Sequence, residues 1–142
     1  QLLAVGQNAP TWARALAAKL GIEKHVTMLP GRQDIPRLLQ AADVLLHPAH
    51  RDTTGTLLLE AVVAGLPVLC SANCGYAHHI TASQCGFAIA NWARNSDAQQ
   101  RFVELLQNDT APMRTAALHY AKQHDLHAMH AEICNRIEAI AR

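Results

Sequence analysis

The sequence predicts a doubly wound α/β fold with a parallel sheet, and three observations carry that prediction. Apolar runs of strand length alternate with segments of helical period over the first 90 or so residues. The connections between them are short and marked by glycine and proline. The run Leu66 to Cys70 is apolar without alternation, as a parallel strand covered on both faces should be.

Each element follows in turn. Leu2 to Gly6 reads as a strand, Pro10 to Leu20 as a helix closed by Gly21, and His25 to Leu29 as a second strand. Asp34 to Ala42 is the next helix, and Val44 to His47 is a strand stopped by Pro48. After the loop 48–54 comes a helix over 55–64, ended by Gly65, and then the strand 66–70. Ser71 to Gly75 is a turn, Ala77 to Thr81 a short helical turn, and Gly86 to Ala90 a last, weaker strand. Ser96 caps a helix to about Asn108, Pro112 opens another to Gln123, and Leu126 to Ala141 is a terminal helix.

Size and charge exclude several classes. The 142 residues read as one partial domain with 50% hydrophobic composition, and a net charge of +1 gives no footprint for nucleic acid or an anionic membrane surface. No apolar run is long enough to span a bilayer, and no signal-peptide pattern opens the chain. The strand at Leu2 begins without a lead-in, so the chain reads as a piece of a longer protein. Cys70, Cys74, Cys85 and Cys134 contain no CxxC pair and read as reduced thiols rather than a disulfide or metal set. His78 and His79 are adjacent and so are expected to point in different directions on a helix or strand, while His119, His124, His127 and His130 fit the polar sides of helices. No metal site is expected.

In doubly wound sheets ligands bind at the carboxyl ends of the strands, which directs attention to residues 47–60. Glu60 is the only Asp, Glu, Lys or Arg between Asp52 and Arg94, set in an otherwise apolar stretch. A carboxylate there lies either at a wet rim of its helix or in a polar cleft with a partner, because an unpaired buried charge is too costly. The amides of Gly55, Thr56 and Leu57 at the helix start would form an anion site, since unsatisfied donors and helix dipole point the same way. Glu60, about one and a half turns further in, could accept two hydrogen bonds from a vicinal diol. The plain alternative is an ordinary strand-to-helix turn. Neither GxGxxG nor GxxxxGK is present, which disfavours a dinucleotide or P-loop site.

The segment DVLLHPAHRDTTGTLLLEAVVAGLPVLCSANCG (43–75) is similar to the signature of the retaining glycosyltransferases of the GT-B architecture, sequence family 4. Asp52, seven intervening residues, Glu60, Ala61 and then Gly65, Leu66, Pro67 and Val68 follow that pattern, and HVTMLPGR (25–32) and AADVLLHPA (41–49) fit upstream. Within the family, LLHPA, LLEA, AGLPVL and CGYAH look closest to the lipopolysaccharide core glucosyltransferases, which take glucose from UDP-glucose.

The resemblance implies a Rossmann-like donor-nucleotide domain, lacking its first strand unit, that binds a UDP-sugar as substrate and needs no metal or cofactor. It implies that Glu60 binds the ribose, Asp52 the donor hexose, the amides of Gly55, Thr56 and Leu57 the diphosphate, and the backbone near Arg32, after Gly31, the uracil. No catalytic residue is assignable. Asp52 stands where the family usually has Glu, and the family's basic diphosphate loop and acceptor half are absent from this chain. The expectation is a domain inactive alone, self-associating through its bared surface. Its full-length parent would act in the cytoplasm, peripheral at the inner membrane through the acceptor half, with lipopolysaccharide core as acceptor. Two alternatives stand beside it: a degenerate binding module without transferase activity, and another GT-B enzyme such as a UDP-sugar epimerase.

Overall fold

A computed structural model describes residues 1–6, 10–90, 92, 96–126 and 128–140, without the side chains of 129–133. The chain is α/β as expected, with every strand pairing parallel. It divides into two compact units, Gln1–Ile35 and Pro36–Arg142.

In the first unit, β1 (Leu2–Val5) pairs with β2 (Val26–Leu29), Leu2 opposite Val26 and Val5 opposite Leu29. Between them run α1 (Thr11–Lys19) and a 3₁₀ turn at Glu23–His25. Residues 23–25, partly assigned to the strand from sequence, tighten into that turn instead, with the His25 amide donating to the Ile22 carbonyl at 2.8 Å.

Helix α2 (Ile35–Ala41) starts at the last residue of the first unit, and the second unit holds a three-stranded sheet in the order β3 (Leu45–His47), β4 (Val68–Ser71), β5 (Gly86–Ile89). One continuous sheet was the sequence expectation; among the described residues there are two, because no strand pairs with the outer edge of β3. The crossovers are α3 (Thr56–Val63) and α4 (Ala77–Ala82), and α5 (Ser96–Gln107), α6 (Ala111–Gln123) and α7 (Ala128–Ile140) follow.

The core lies on both faces of β4. On one side Leu69, Ile89, Ala98 and Leu105 are buried, with Val44, Leu46, Phe87, Phe102 and Met113 packed against them. On the other, α3 turns Leu58, Leu59, Ala61 and Val62 inward and packs against α4 and α6. Burying a leucine or valine side chain contributes roughly 1.5–3 kcal/mol, so this double cover is what holds β4 central. Arg114 of α6 fastens the end of α2 by donating to the carbonyls of Ala42 at 3.0 Å and Asp43 at 3.3 Å. His119 and His124 lie exposed on the helical tail as their spacing predicts, whereas His127 and the His130 side chain fall outside the described residues. All four cysteines are free, Cys70, Cys74 and Cys85 buried and Cys134 exposed.

Candidate functional site

The carboxyl ends of β3 and β4 converge on the loop 48–55, where the sequence directs attention. Asp52 and Cys74 form an isolated parallel bridge that continues the pairing of β3 with β4, and the Gly75 amide donates to the Asp52 carbonyl at 3.1 Å. Tyr76 donates its amide to the Thr54 carbonyl at 2.9 Å, so the two post-strand loops are laced together. Gly75 makes this possible: a Cβ there would run into the Thr53 carbonyl oxygen.

Asp52 is the local organiser. One carboxylate oxygen accepts from the Gly55 amide at 2.9 Å and the Thr54 amide at 3.3 Å, and the other meets His47 Nε2 at 3.1 Å. Partial burial pushes this carboxyl upward, but the His47 hydrogen bond and the Gly55 and Thr54 amides outweigh it and hold the group below its ordinary range. The Gly55 amide, expected to face an anion, is therefore already given to Asp52. Gly55 itself adopts a left-handed conformation with φ of 71°, which delivers the chain into α3.

The donors left at the start of α3 are those of Thr56 and Leu57, whose amides make no hydrogen bond among the described residues. Glu60 is exposed, and its carboxylate is unpaired among the described residues. Thr56, Glu60 and Val63 share the one exposed stripe of an otherwise buried helix, which places the carboxylate about one turn, roughly 5–6 Å along the axis, from the open N-terminus. Of the two positions the sequence allowed for Glu60, the wet rim is the one observed.

Arg32 belongs to the first unit, where its Nε and Nη2 donate to the two carboxylate oxygens of Asp34, each at 2.7 Å. Its guanidinium is thereby committed within its own loop.

Sequence spacing did not indicate one further grouping. His47, Asp52 and Cys74 place an imidazole nitrogen, a carboxylate oxygen and a thiol sulfur all within 4.8 Å of one another. The residues come from a strand end, a loop and the next strand's exit, so no linear motif links them. Burial pushes the Cys74 thiol up, and the Asp52 charge pushes it the same way.

The model of the family described as Glycosyl transferases group 1 matches residues 1–124. The lipopolysaccharide glucosyltransferase WaaG of Escherichia coli K12 is 43% identical over 134 residues, 90% of this chain and 35% of that protein. A D-inositol 3-phosphate glycosyltransferase of Mycobacterium sp. strain KMS is 33% identical over 123 residues, covering 82% of this chain and 27% of its own length. The chain thus spans about a third of the length of the curated relatives it matches. In structure it superposes on crystalline WaaG with a TM-score of 0.86 at 40% identity, covering 96% of this chain and 37% of that one. Anabaena Alr3699/HepE, crystallised in complex with UDP, gives 0.74 at 21% identity over 96% of this chain and 40% of that one, a likeness that shows the fold alone. With the family model matching residues 1–124 and a relative 43% identical over 90% of the chain, the chain belongs to the group 1 glycosyl transferases.

Proposed function

We propose that this chain is the donor-binding part of a retaining hexosyltransferase, and that its full-length parent transfers glucose from UDP-glucose to the core of lipopolysaccharide. The observation that carries the reading is the exposed stripe of α3, where the uncommitted amides of Thr56 and Leu57 stand one turn from the unpaired carboxylate of Glu60. The helix terminus suits the diphosphate, and Glu60 suits the two ribose hydroxyls. Identity to WaaG over most of the chain supports lipopolysaccharide core as the acceptor class.

In this reading Asp52 keeps one oxygen on the loop amides and turns the other, beside His47, toward the donor hexose. The family resemblance assigns the uracil to the backbone near Arg32, after Gly31, while the Arg32 side chain itself is held by Asp34. Residues 1–142 form part of one donor domain, with the acceptor bound by a further part of the parent protein. UDP-sugar is the substrate, and no metal is assigned a role in transfer. Among the described residues no helix is long and apolar enough to cross a membrane. In this reading the parent works in the cytoplasm and reaches the inner membrane peripherally, through its acceptor-binding part.

Calorimetric titration of UDP into the full-length protein tests the site. Glu60→Gln should weaken UDP by about 1–3 kcal/mol, since an amide keeps the shape but loses a charge-assisted acceptor. Asp52→Asn should leave UDP affinity nearly intact while slowing turnover of the UDP-sugar. Equal UDP affinities for parent and Glu60→Gln would remove Glu60 from the site. The isolated chain should transfer no glucose, because donor and acceptor must be oriented together, and measurable turnover by it would overturn the division of labour.

A further inference from the structure

We propose that His47, Asp52 and Cys74 form a binding site for a thiophilic divalent cation, zinc foremost, which inhibits sugar transfer rather than serving it. The donor set is the first ground. Imidazole, thiolate and carboxylate are the three ligand types zinc takes in proteins, whereas calcium and magnesium call for oxygen alone. Spacing is the second. Tetrahedral zinc, with bonds of roughly 2.0–2.3 Å, holds its ligand atoms about 3.3–3.8 Å apart. His47 Nε2 and Asp52 Oδ2 already stand 3.1 Å apart, and all three donor atoms lie within 4.8 Å of one another. Small side-chain rotations close that gap.

The frame around the trio is fixed independently of any ion. The Asp52 and Cys74 backbones bridge in parallel, the Gly75 amide bonds the Asp52 carbonyl, and Asn73 Nδ2 donates to the His50 carbonyl at 3.2 Å. The Asp52 oxygen turned away from the trio is held by the Gly55 and Thr54 amides, the outer hydrogen bonding that orients a ligating carboxylate. Cys74 closes the inner side of the site, being only 4% exposed. The His47 and Asp52 side chains, 20% and 32% exposed, leave a route in from solvent and room for water as a fourth ligand. Since Asp52 also serves the donor-hexose reading, a bound ion would compete with the sugar and act as an inhibitor.

Cobalt(II) is the probe, titrated into the reduced, metal-free, full-length protein with no donor present, so the outcome is independent of the glycosyltransferase reading. The expected result is a thiolate-to-cobalt charge-transfer absorption that saturates and is abolished by competing zinc. It should be lost in Cys74→Ser, and cobalt affinity should fall at least about tenfold in His47→Gln, the lower bound set by losing even an outer partner of a metal ligand. His47→Gln, with the buried thiol untouched, decides the matter if Cys74→Ser folds poorly. Absence of a thiolate band in the parent, the same band in Cys74→Ser, or unchanged affinity in His47→Gln would each overturn the site.

Discussion

Strands β1 and β4 are both four residues long, both paired in parallel, and opposite in environment. All of Val68–Ser71 is buried, while all of Leu2–Val5 is exposed, with Leu2 at 50%, Leu3 at 45% and Val5 at 39%. Pairing is thus not what distinguishes them; cover is. Strand β4 lies between β3 and β5, with α5 packed against it and α4 beside it, whereas β1 pairs with one strand among the described residues and its leucines stay exposed. Parallel strands are built for cover on both faces, so apolar β1 is shaped for contacts that the described residues do not supply. Helix α1 repeats the pattern, with Trp12, Leu16 and Leu20 recurring every fourth residue at 68%, 47% and 60% exposure. A chain spanning about a third of its relatives' length is consistent with that bareness.

The largest expected effect comes from breaking the covered strand. Leu69→Ala removes a fully buried side chain from the centre of β4 and should cost about 2–5 kcal/mol in urea unfolding. Leu3→Ala on β1 should stay within about 0.5 kcal/mol for the same chain. What Leu3 changes instead is association: exposed leucines on an unpaired strand edge favour self-pairing, so Leu3→Lys should shift sedimentation toward monomer. Equal stability losses at both positions would erase the contrast.

That contrast also marks what was legible in the sequence. The apolar runs located every strand, and Gly65 ended α3 where its position implied, because helix termination is a local matter of backbone conformation. Glu60 at the rim was one of two positions that its helix allowed. The engagement of the Gly55 amide by Asp52 and the approach of His47 and Cys74 were not legible, since they depend on two strand ends meeting after the sheet forms. The division into two sheets escaped for a related reason: alternating elements show which segments are strands but not which edges find partners.

A smaller perturbation sharpens the comparison at the point where β4 leaves the sheet. Gly75→Ala forces a methyl group against the Thr53 carbonyl oxygen, and backbone cannot yield as the end of a flexible side chain can. We expect a loss of about 1–3 kcal/mol, together with weaker use of the UDP-sugar, because the Gly75 amide fixes the Asp52 carbonyl. Unchanged unfolding of Gly75→Ala would show that the two loops are not locked together.

The smallest effect is a pH dependence in α4, one of the helices beside the covered sheet. His79 is half-buried there, and its Nδ1 lies 2.9 Å from the Tyr120 hydroxyl on α6. His124 stacks on the same tyrosine ring with centroids 4.0 Å apart, and the His78 and His79 rings, expected from sequence to point apart, instead lie with centroids 4.1 Å apart. Burial first, then the neighbouring charges of His78 and His124, hold the His79 pKa below its ordinary 6.5. The folded state therefore favours the neutral ring, and the unfolded chain takes up a proton at higher pH than the folded one. The resulting stability is fully present above about pH 6.5 and is lost as pH falls through the lower folded value. Asp34 and Asp52, both held below the ordinary 3.8, lose their contributions in a separate and more acidic window. Unfolding measured between pH 7.5 and 5.5 should accordingly show a decline in the parent that is reduced in His79→Gln, a change smaller than either substitution above because the ring keeps partial access to water. An identical decline in both proteins would remove His79 as its source and leave the α4–α6 contact insensitive to acid over that range.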